Sequence, residues 1–357
     1  MNLDDLSIYK QLDPSDLYKN ISELPDQFEN TWTEINRLVL PSYYLKANKV
    51  IILGMGGSGI GGELARGLTL KTSEIPIHTH HNYGIPEFVD DRTLVIAISY
   101  SGNTEEVTDG FVEAYKRGAK LVAVTTGGEL EKLALKYRVP YYRFAYKSPP
   151  RAALGYLLIS VIGILKKLNI IDIAEQDLNT TLSMLKNQHI KLNRDVPAPK
   201  NRAKKLAQKL YGKIPIIYGT EFLESVAVRW KTQVNENAKS AAYAEIIPES
   251  SHNSLVGLDF PTELKDKLAF IILQSKLNHP KSKLRQEFFQ KTLKSKQISI
   301  EVISADFVSD SPLVEATALI YLGDLVSYYL AILNACDPYP VDIINKLKTT
   351  IKEKSSE

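Results

Sequence analysis

The chain has 357 residues, with 44 Lys or Arg against 41 Asp or Glu, so its formal net charge is +3. Charge this balanced argues against a protein that coats nucleic acid or an anionic membrane. A single cysteine, Cys336, excludes a disulfide framework, a cysteine-rich zinc site and an iron–sulfur cluster. The length allows about two domains, and no apolar run reaches the roughly 18 residues of a membrane span. The opening residues lack the features of a signal peptide, so we expect a soluble cytoplasmic protein.

The first half of the chain predicts leading helices followed by a parallel sheet. Apolar residues within residues 1–46 recur every three or four positions, which indicates one buried helical stripe; they are Leu24, Phe28, Trp32, Ile35 and Leu38. Short β-branched runs then predict strands at residues 49–54, 75–78, 94–98, 120–125 and 139–144. Helical segments separate them at residues 60–70, 104–117 and 129–137, and an apolar helix follows at 154–169. Strands alternating with helices predict a doubly wound sheet.

The second half repeats this plan after a basic, proline-containing stretch, residues 193–205, which we interpret as a linker. Strands are predicted at residues 214–219, 242–247, 268–273 and 298–303, with a helix at 221–233 and a closing helix pair at 313–336 and 341–352. The predicted fold class is therefore α/β, with two similar domains that each hold a doubly wound parallel sheet flanked by helices. We place the domains at residues 1–190 and 191–357.

A glycine-rich loop, GMGGSGIGG at residues 54–62, follows the first strand and opens a helix. Its glycines fit the dinucleotide-binding pattern, with Glu74 as the acidic residue that would bind a ribose, so a nicotinamide-dependent dehydrogenase is one interpretation. A glycine turn needed only for tight packing is another. In a third, Gly56, Gly57 and Ser58 offer backbone N–H groups to a phosphate or an oxyanion. The loop alone does not choose among them.

A second loop, SYSGNTEE at residues 99–106, also lies between a strand and a helix. Three hydroxyl groups, those of Ser99, Ser101 and Thr104, can converge there with backbone N–H groups on one phosphate. Simple capping of the helix is the alternative, but it needs only one of these hydroxyls. The two hydroxyls beyond the one that capping needs favour phosphate binding.

These two loops together resemble those of the sugar isomerase (SIS) domain, which binds phosphorylated sugars. Two such domains in one chain of this length resemble the bifunctional phosphoglucose/phosphomannose isomerase family. The resemblance implies an aldose–ketose isomerase that converts the 6-phosphates of glucose and mannose into fructose 6-phosphate through a cis-enediol. It implies hexose 6-phosphates as the substrates, no metal ion or organic cofactor, and a homodimer.

The motif NENAK, residues 235–239, places Glu236 at the end of the helix that follows the second domain's first strand. A glutamate there is disfavoured by the helix dipole, and the flanking asparagines indicate a polar pocket. The alternative is a solvated helix-end side chain. The resemblance makes Glu236 the base that moves the proton between C1 and C2. It also implies that His252, in a polar loop, assists ring opening from across a dimer interface.

Arg151 follows two prolines, which fix the backbone and favour a positioned charge. A surface arginine is the alternative. The resemblance gives Arg151 the role of stabilising the enediolate, together with Gly57 and Ser58.

The last helix supplies a lysine for ring opening according to the same resemblance. The family pattern Asp-x-Thr-Pro-Val is replaced here by DPYPV at residues 337–341, so Tyr339 stands where a threonine is usual and leaves the preference between the two aldoses open. Lys346 lies on the same helix face as Tyr339, whereas Lys348 matches the family's Leu-Lys ending. We favour Lys346 and keep Lys348 as the alternative.

Two other functions remain open at this point. One is a non-catalytic SIS-domain sensor of sugar phosphates, although such regulators carry a basic recognition helix that is missing from the acidic N-terminal segment. The other is the dehydrogenase, which rests on Gly54, Gly56 and Gly59. A histidine cluster at His78, His80 and His81 has no further ligand at metal-binding spacing, so we interpret it as structural.

Overall fold

Two parallel β-sheets organise the protein, whose computed structural model describes residues 1–305 and 309–354. The first sheet has the order β2-β1-β3-β4-β5 and the second the order β7-β6-β8-β9. All neighbouring strands in both sheets are parallel. The strands are β1 (Lys49–Gly54), β2 (Ile77–His80), β3 (Thr93–Ser99), β4 (Lys120–Thr125), β5 (Tyr141–Arg143), β6 (Ile214–Thr220), β7 (Tyr243–Ile247), β8 (Leu268–Gln274) and β9 (Ser299–Ser304). The predicted α/β class with two doubly wound sheets is confirmed.

Helices flank the sheets and fill the space between them. They are α1 (Leu6–Leu12), α2 (Leu17–Ser22), α3 (Leu24–Ile35), α4 (Gly56–Thr69), α5 (Glu105–Lys116), α6 (Gly128–Tyr137), α7 (Leu154–Lys167), α8 (Glu175–Leu192), α9 (Arg202–Leu210), α10 (Glu224–Ala238), α11 (Pro280–Ser295), α12 (Pro312–Leu333) and α13 (Asp342–Lys354). The predicted apolar stripe of the leading segment lies on α3, where Leu24, Phe28 and Ile35 are buried.

The register of the first sheet brings its two loops together. Gly54 at the end of β1 lies opposite Ile98 of β3, one residue before Ser99. Because parallel strands present their carboxyl ends at one edge of the sheet, the glycine loop and the hydroxyl loop begin side by side. This edge is therefore the natural location of a ligand site.

One core helix, α12, ties the two halves together. It packs against α8, α9 and α10. Within the described part of the chain, α12 is long and apolar enough to cross a membrane, which the sequence does not indicate. Its most apolar stretch is wholly buried inside the protein. Burial among other helices is the behaviour of a core element.

Several element boundaries differ from those expected. β2 begins at Ile77 because Pro76 has no N–H to donate and only accepts, through its carbonyl, from Val50 N at 2.9 Å. The helix predicted from Glu221 begins at Glu224 and continues to Ala238. Glu221 has a positive φ of 57° and lies in a 3-10 turn instead. Helices α8, α9 and α11 were not predicted from the sequence.

The stretch of residues 193–205 is not a simple solvated linker. It contains the start of α9, and the side chain of Lys204 is fully buried. Lys204 Nζ donates to the carbonyls of Leu3 and Arg194, each at 2.8 Å, and lies 3.0 Å from Asp4 Oδ1. This buried cation anchors the N-terminal segment onto α9. The predicted domain boundary, residues 190 and 191, lies within α8.

Candidate active site

The glycine loop opens α4 and brings the chain close to Arg151. Gly56 has a φ of +51°, and a Cβ added to Gly57 would lie 2.6 Å from the backbone nitrogen of Arg151. Only glycine permits that approach. The hydroxyl of Ser58, which is buried, accepts from the backbone N–H of Tyr100 at 3.0 Å. Ser58 thus joins the glycine loop to the hydroxyl loop.

The N-cap residue of α5, Thr104, does not use its hydroxyl group to cap that helix. Its Oγ1 lies 2.8 Å from Oγ of the buried Ser99 instead. Ser101 Oγ accepts from the backbone N–H of Asn103 at 3.2 Å and lies on the exposed side of the loop. Ser99 and Thr104 therefore share one small polar site beside the start of a helix, where an anion is favoured.

Arg151 is the cation of the site and is almost completely buried, with 2% of its surface exposed. Its NH2 group donates to the carbonyls of Pro338 at 2.7 Å and Tyr339 at 2.8 Å. Its Nε donates to Asn237 Oδ1 at 2.6 Å. Burial lowers the pKa of Arg151, and the adjacent Glu236 carboxylate opposes that shift. The side chain is a positioned charge, not a surface arginine.

Glu236 lies in the last turn of α10, as predicted, and it faces Arg151. Its Oε2 is 3.4 Å from Arg151 NH1, and a quarter of its side chain remains exposed. A carboxylate at a helix C-terminus is destabilised by the helix dipole, and the guanidinium offsets that effect. The arrangement leaves Glu236 open to a ligand while its charge is balanced.

Lys239 belongs to this site, although the sequence did not single it out. It caps α10 with a positive φ of 55°. Its Nζ donates to the carbonyls of Glu236 at 2.5 Å and Pro340 at 2.6 Å. Burial lowers the pKa of Lys239, and the nearby Arg151 lowers it further. Only the NENAK motif itself could have drawn attention to this residue.

His252 is not brought to Glu236 within the chain. It is exposed, in a 3-10 turn that follows the carboxyl end of β7, whereas Glu236 precedes the start of that strand. β7 has five residues, which span about 16 Å at roughly 3.3 Å per residue. The two side chains therefore lie toward opposite edges of the second sheet.

Lys346 and Lys348 are both exposed on α13. The start of this helix is held at the site, because the carbonyls of residues 338–340 accept from Arg151 and Lys239. The ring of Tyr339, three residues before the helix, is partly buried against the core. Apolar side chains of α13 are exposed in the single chain, with Ile343 at 77% and Leu347 at 58%.

Of the three clustered histidines, His81 contacts the base of the glycine loop. His81 Nδ1 lies 2.6 Å from the carbonyl oxygen of Gly54, and its Nε2 lies 3.0 Å from Glu63 Oε1. The hydrogen bond with Glu63 raises the pKa of His81. Burial acts to raise the pKa of Glu63, but hydrogen bonds from His81 and Thr79 outweigh it and bring the pKa to about 2. This pair supports the base of the glycine loop.

Known proteins match both halves of the chain. Residues 43–137 match the SIS domain family, and residues 199–351 match the family described as the bacterial phospho-glucose isomerase C-terminal SIS domain. The bifunctional phosphoglucose/phosphomannose isomerase of Caldicellulosiruptor bescii is 37% identical over 94% of this chain and 99% of its own length. The protein of the same name from Aquifex aeolicus is 33% identical over 95% of this chain and 99% of its own.

Solved structures agree on the fold. A hypothetical protein from Thermus thermophilus superposes with a TM-score of 0.76 at 15% identity, covering 96% of this chain and 91% of the other. A glucose-6-phosphate isomerase like protein from the same organism gives a TM-score of 0.63 at 19% identity, covering 96% and 98%. The resemblance drawn from the loop motifs is confirmed: the chain belongs to the bifunctional phosphoglucose/phosphomannose isomerase family of SIS-domain proteins.

Proposed function

We propose that the protein is an aldose–ketose isomerase that interconverts glucose 6-phosphate and mannose 6-phosphate with fructose 6-phosphate. The observation that carries this proposal is the pairing of the Glu236 carboxylate with the buried Arg151 guanidinium, 3.4 Å apart. Arg151 packs directly against Gly57, beside the loops suited to a phosphate. A base and a cation beside a phosphate site are what proton transfer on a sugar phosphate requires.

The phosphate is bound by hydroxyls and backbone N–H groups. Ser99, Ser101 and Thr104 supply the hydroxyls, and the N-terminus of α5 supplies backbone donors. Gly56, Gly57 and Ser58 line the neighbouring loop at the start of α4. This mode of binding needs no cluster of basic residues, which agrees with the near-neutral charge of the chain.

Once the sugar ring is open, Glu236 removes the proton from C2 of the aldose. The electrons of that bond form the C1–C2 double bond, and the C1 oxygen takes up the negative charge and then a proton. Arg151 stabilises this developing charge. Transfer of the proton from Glu236 to C1, with loss of the O2 proton, gives the ketose. Glucose and mannose phosphates differ only at C2, which is planar in the enediol, so both aldoses share one intermediate.

Ring opening is assigned to His252 of a second copy, together with Lys346 or, as the alternative, Lys348. The length of β7 separates His252 from Glu236 of its own chain, which supports a site completed by a partner. Large apolar side chains near His252 are exposed, with Val256 at 81% and Phe260 at 83%. Exposed apolar residues of this size are typical of a protein–protein interface. The proposed assembly is a homodimer.

The remaining expectations belong to the same proposal. The enzyme is cytoplasmic, acts without a metal ion or organic cofactor and has no nucleic-acid or membrane partner. Its division into residues 1–190 and 191–357 gives each half one sheet. The dehydrogenase alternative is disfavoured because it rests on the glycine loop alone, whereas both halves of the chain match SIS-domain families.

A coupled assay tests the proposed function. Each aldose 6-phosphate is presented separately to the purified protein, and the appearance of fructose 6-phosphate is followed. Turnover of both supports the bifunctional isomerase, and turnover of one alone restricts the activity to that sugar. If neither aldose phosphate is turned over but a hexose phosphate still binds, the result would favour the non-catalytic sugar-phosphate sensor.

A further inference from the structure

The guanidinium of Arg151 has five N–H groups, and the protein itself uses most of them. Nε–H donates to Asn237 Oδ1 at 2.6 Å, and NH2 donates to the carbonyls of Pro338 and Tyr339. The remaining nitrogen, NH1, faces Glu236 Oε2 at the longer distance of 3.4 Å. NH1 is therefore the nitrogen that is left to contact a substrate oxygen.

The contact with Asn237 depends on which way its amide points. Asn237 is fully buried, and its Nδ2 donates to Ser327 Oγ at 3.0 Å. The single proton of the Ser327 hydroxyl is used on the carbonyl of Asp324, at 2.7 Å. Ser327 Oγ can therefore only accept from Asn237. This fixes the amide with its oxygen toward Arg151, which requires an acceptor.

The backbone of Arg151 is held from the same direction. Arg229 NH2 donates to the Arg151 carbonyl at 2.7 Å. Arg229 in turn donates to Asp324, from Nε to Oδ1 at 3.0 Å and from NH2 to Oδ2 at 2.8 Å. Both side chains are buried. Asp324 and Ser327 lie one turn apart on α12. One face of α12 thus supports both the backbone and the side chain of Arg151 through residues of α10.

We propose that Asn237 and Ser327 are positioning residues for isomerisation, because they orient the Arg151 guanidinium so that NH1 points to the oxygens of the reacting carbons. This inference rests on the proposed function for the role of Arg151. It adds two residues that do not touch the substrate. Their substitution should weaken stabilisation of the transition state more than it weakens substrate binding.

The first test compares Ser327→Ala with Thr317→Val. Thr317 is a suitable control because it lies on the same helix and its buried hydroxyl has no hydrogen-bond partner among the described residues. Ser327→Ala is expected to lower kcat about tenfold, the effect of one disturbed hydrogen bond, while KM changes less than threefold. Affinity for a planar hydroxamate phosphate that mimics the enediolate should fall with kcat, and affinity for a hexitol 6-phosphate should not. Thr317→Val should leave all four quantities unchanged.

A double-mutant cycle isolates the role of the amide. In Asn237→Asp the carboxylate accepts from Arg151 Nε whichever oxygen is presented, so the orientation no longer depends on Ser327. Adding Ser327→Ala to Asn237→Asp should then lower kcat by less than twofold. A tenfold loss in both backgrounds would overturn the proposal, as would a Ser327→Ala enzyme whose kinetics match those of Thr317→Val.

A spectroscopic measurement keeps this test separate from the proposed function. The Arg151 Nε–H resonance, assigned by its loss in Arg151→Lys, should shift in Ser327→Ala and stay in place in Thr317→Val. An unchanged resonance in Ser327→Ala would overturn the positioning role even if the enzyme turns over hexose phosphates. If the wild-type protein isomerises no hexose phosphate, the proposed function fails, and a shifted resonance still supports the positioning of Arg151.

Discussion

At the scale of single residues, the proposed chemistry depends on one buried cation and one partly exposed carboxylate. Arg151 suits its place because a planar guanidinium can donate to several acceptors in fixed directions, whereas a lysine carries one ammonium group with rotating donors. Its bonds to Asn237 and to two carbonyls of the C-terminal segment use this geometry. Glu236 can therefore approach a substrate without leaving a buried charge unpaired.

Replacing Glu236 by Gln should abolish isomerisation while preserving binding. The amide keeps the shape of the side chain but cannot accept the C2 proton, and general-base catalysis is worth about 10²–10⁴-fold. We expect kcat to fall by that factor and the affinity for a hexitol 6-phosphate to stay within about threefold. The matched control is Glu224→Gln at the opposite end of α10, which should keep its activity. Turnover retained by Glu236→Gln would remove Glu236 as the base.

At the scale of elements, the N-cap residue of α5, Thr104, makes no side-chain capping bond, and its hydroxyl pairs with that of Ser99 instead. Thr104→Val keeps the branched shape and removes no cap bond, because none is made. It removes one donor to a phosphate, and a hydrogen bond to a charged group contributes about 1.5–3 kcal/mol. We expect KM for the sugar phosphate to rise about tenfold or more with a smaller change in kcat. Thr108→Val, one turn further along α5, should behave as wild type; equal effects in the two variants would contradict a phosphate role for Thr104.

The pair of Glu63 on α4 and His81 after β2 predicts a pH-dependent contribution to stability. The folded pKa of His81 is raised above 6.5, so its contribution is present below that value and lost as the pH rises through the folded pKa. The pKa of Glu63 is lowered from 4.5 to about 2, so its contribution is present above 4.5 and lost as the pH falls toward 2. The pair therefore stabilises the fold most between these limits.

Urea unfolding of Glu63→Gln measures this contribution. The loss of stability relative to wild type should be larger near pH 5.5 than near pH 9. Glu74→Gln, which changes an exposed glutamate at the end of the loop after α4, should show little loss at either pH. A loss from Glu63→Gln that is equal at both pH values, or larger near pH 9, would show that the ion pair is not its source.

The elements that the sequence predicts well are those with a local signal. β1, β3 and β4 are buried β-branched runs, and α4 and α5 begin after glycine or hydroxyl residues that mark such turns. The helix α9 is short, although its apolar residues Ala203, Leu206, Ala207 and Leu210 follow the helical period. Nothing local indicates that Lys204 is buried against the carbonyl of Leu3, 201 positions earlier. The bonds from Arg151 to carbonyls near position 338 are equally hidden, since a carbonyl is the same in every residue. For Asn237, the sequence indicates only a polar neighbour of Glu236.

At the scale of the whole molecule, the proposed active site lies at the carboxyl edge of the first sheet and at the opposite, amino edge of the second sheet. The first sheet presents its carboxyl edge, with the glycine and hydroxyl loops, to the C-terminal end of α10. The carboxyl edge of the second sheet leads to His252 and lies a strand's length away from Glu236. One chain therefore carries the base of one proposed site and, on its far side, the histidine for another. A homodimer in which each chain gives its histidine to its partner would complete both sites.

Mixing two inactive variants tests this arrangement directly. Consider a mixed dimer of one Glu236→Gln chain and one His252→Asn chain. If each chain gives its histidine to the other, both substituted residues fall in one site, and the other site has the wild-type Glu236 and His252. Unfolding and refolding an equal mixture gives mixed dimers as half of all dimers, so about a quarter of all sites, and hence of wild-type activity, should return. The control refolds each variant alone, which should recover none. If His252 serves the Glu236 of its own chain, every site in the mixture carries one lesion, and no activity should appear at any mixing ratio.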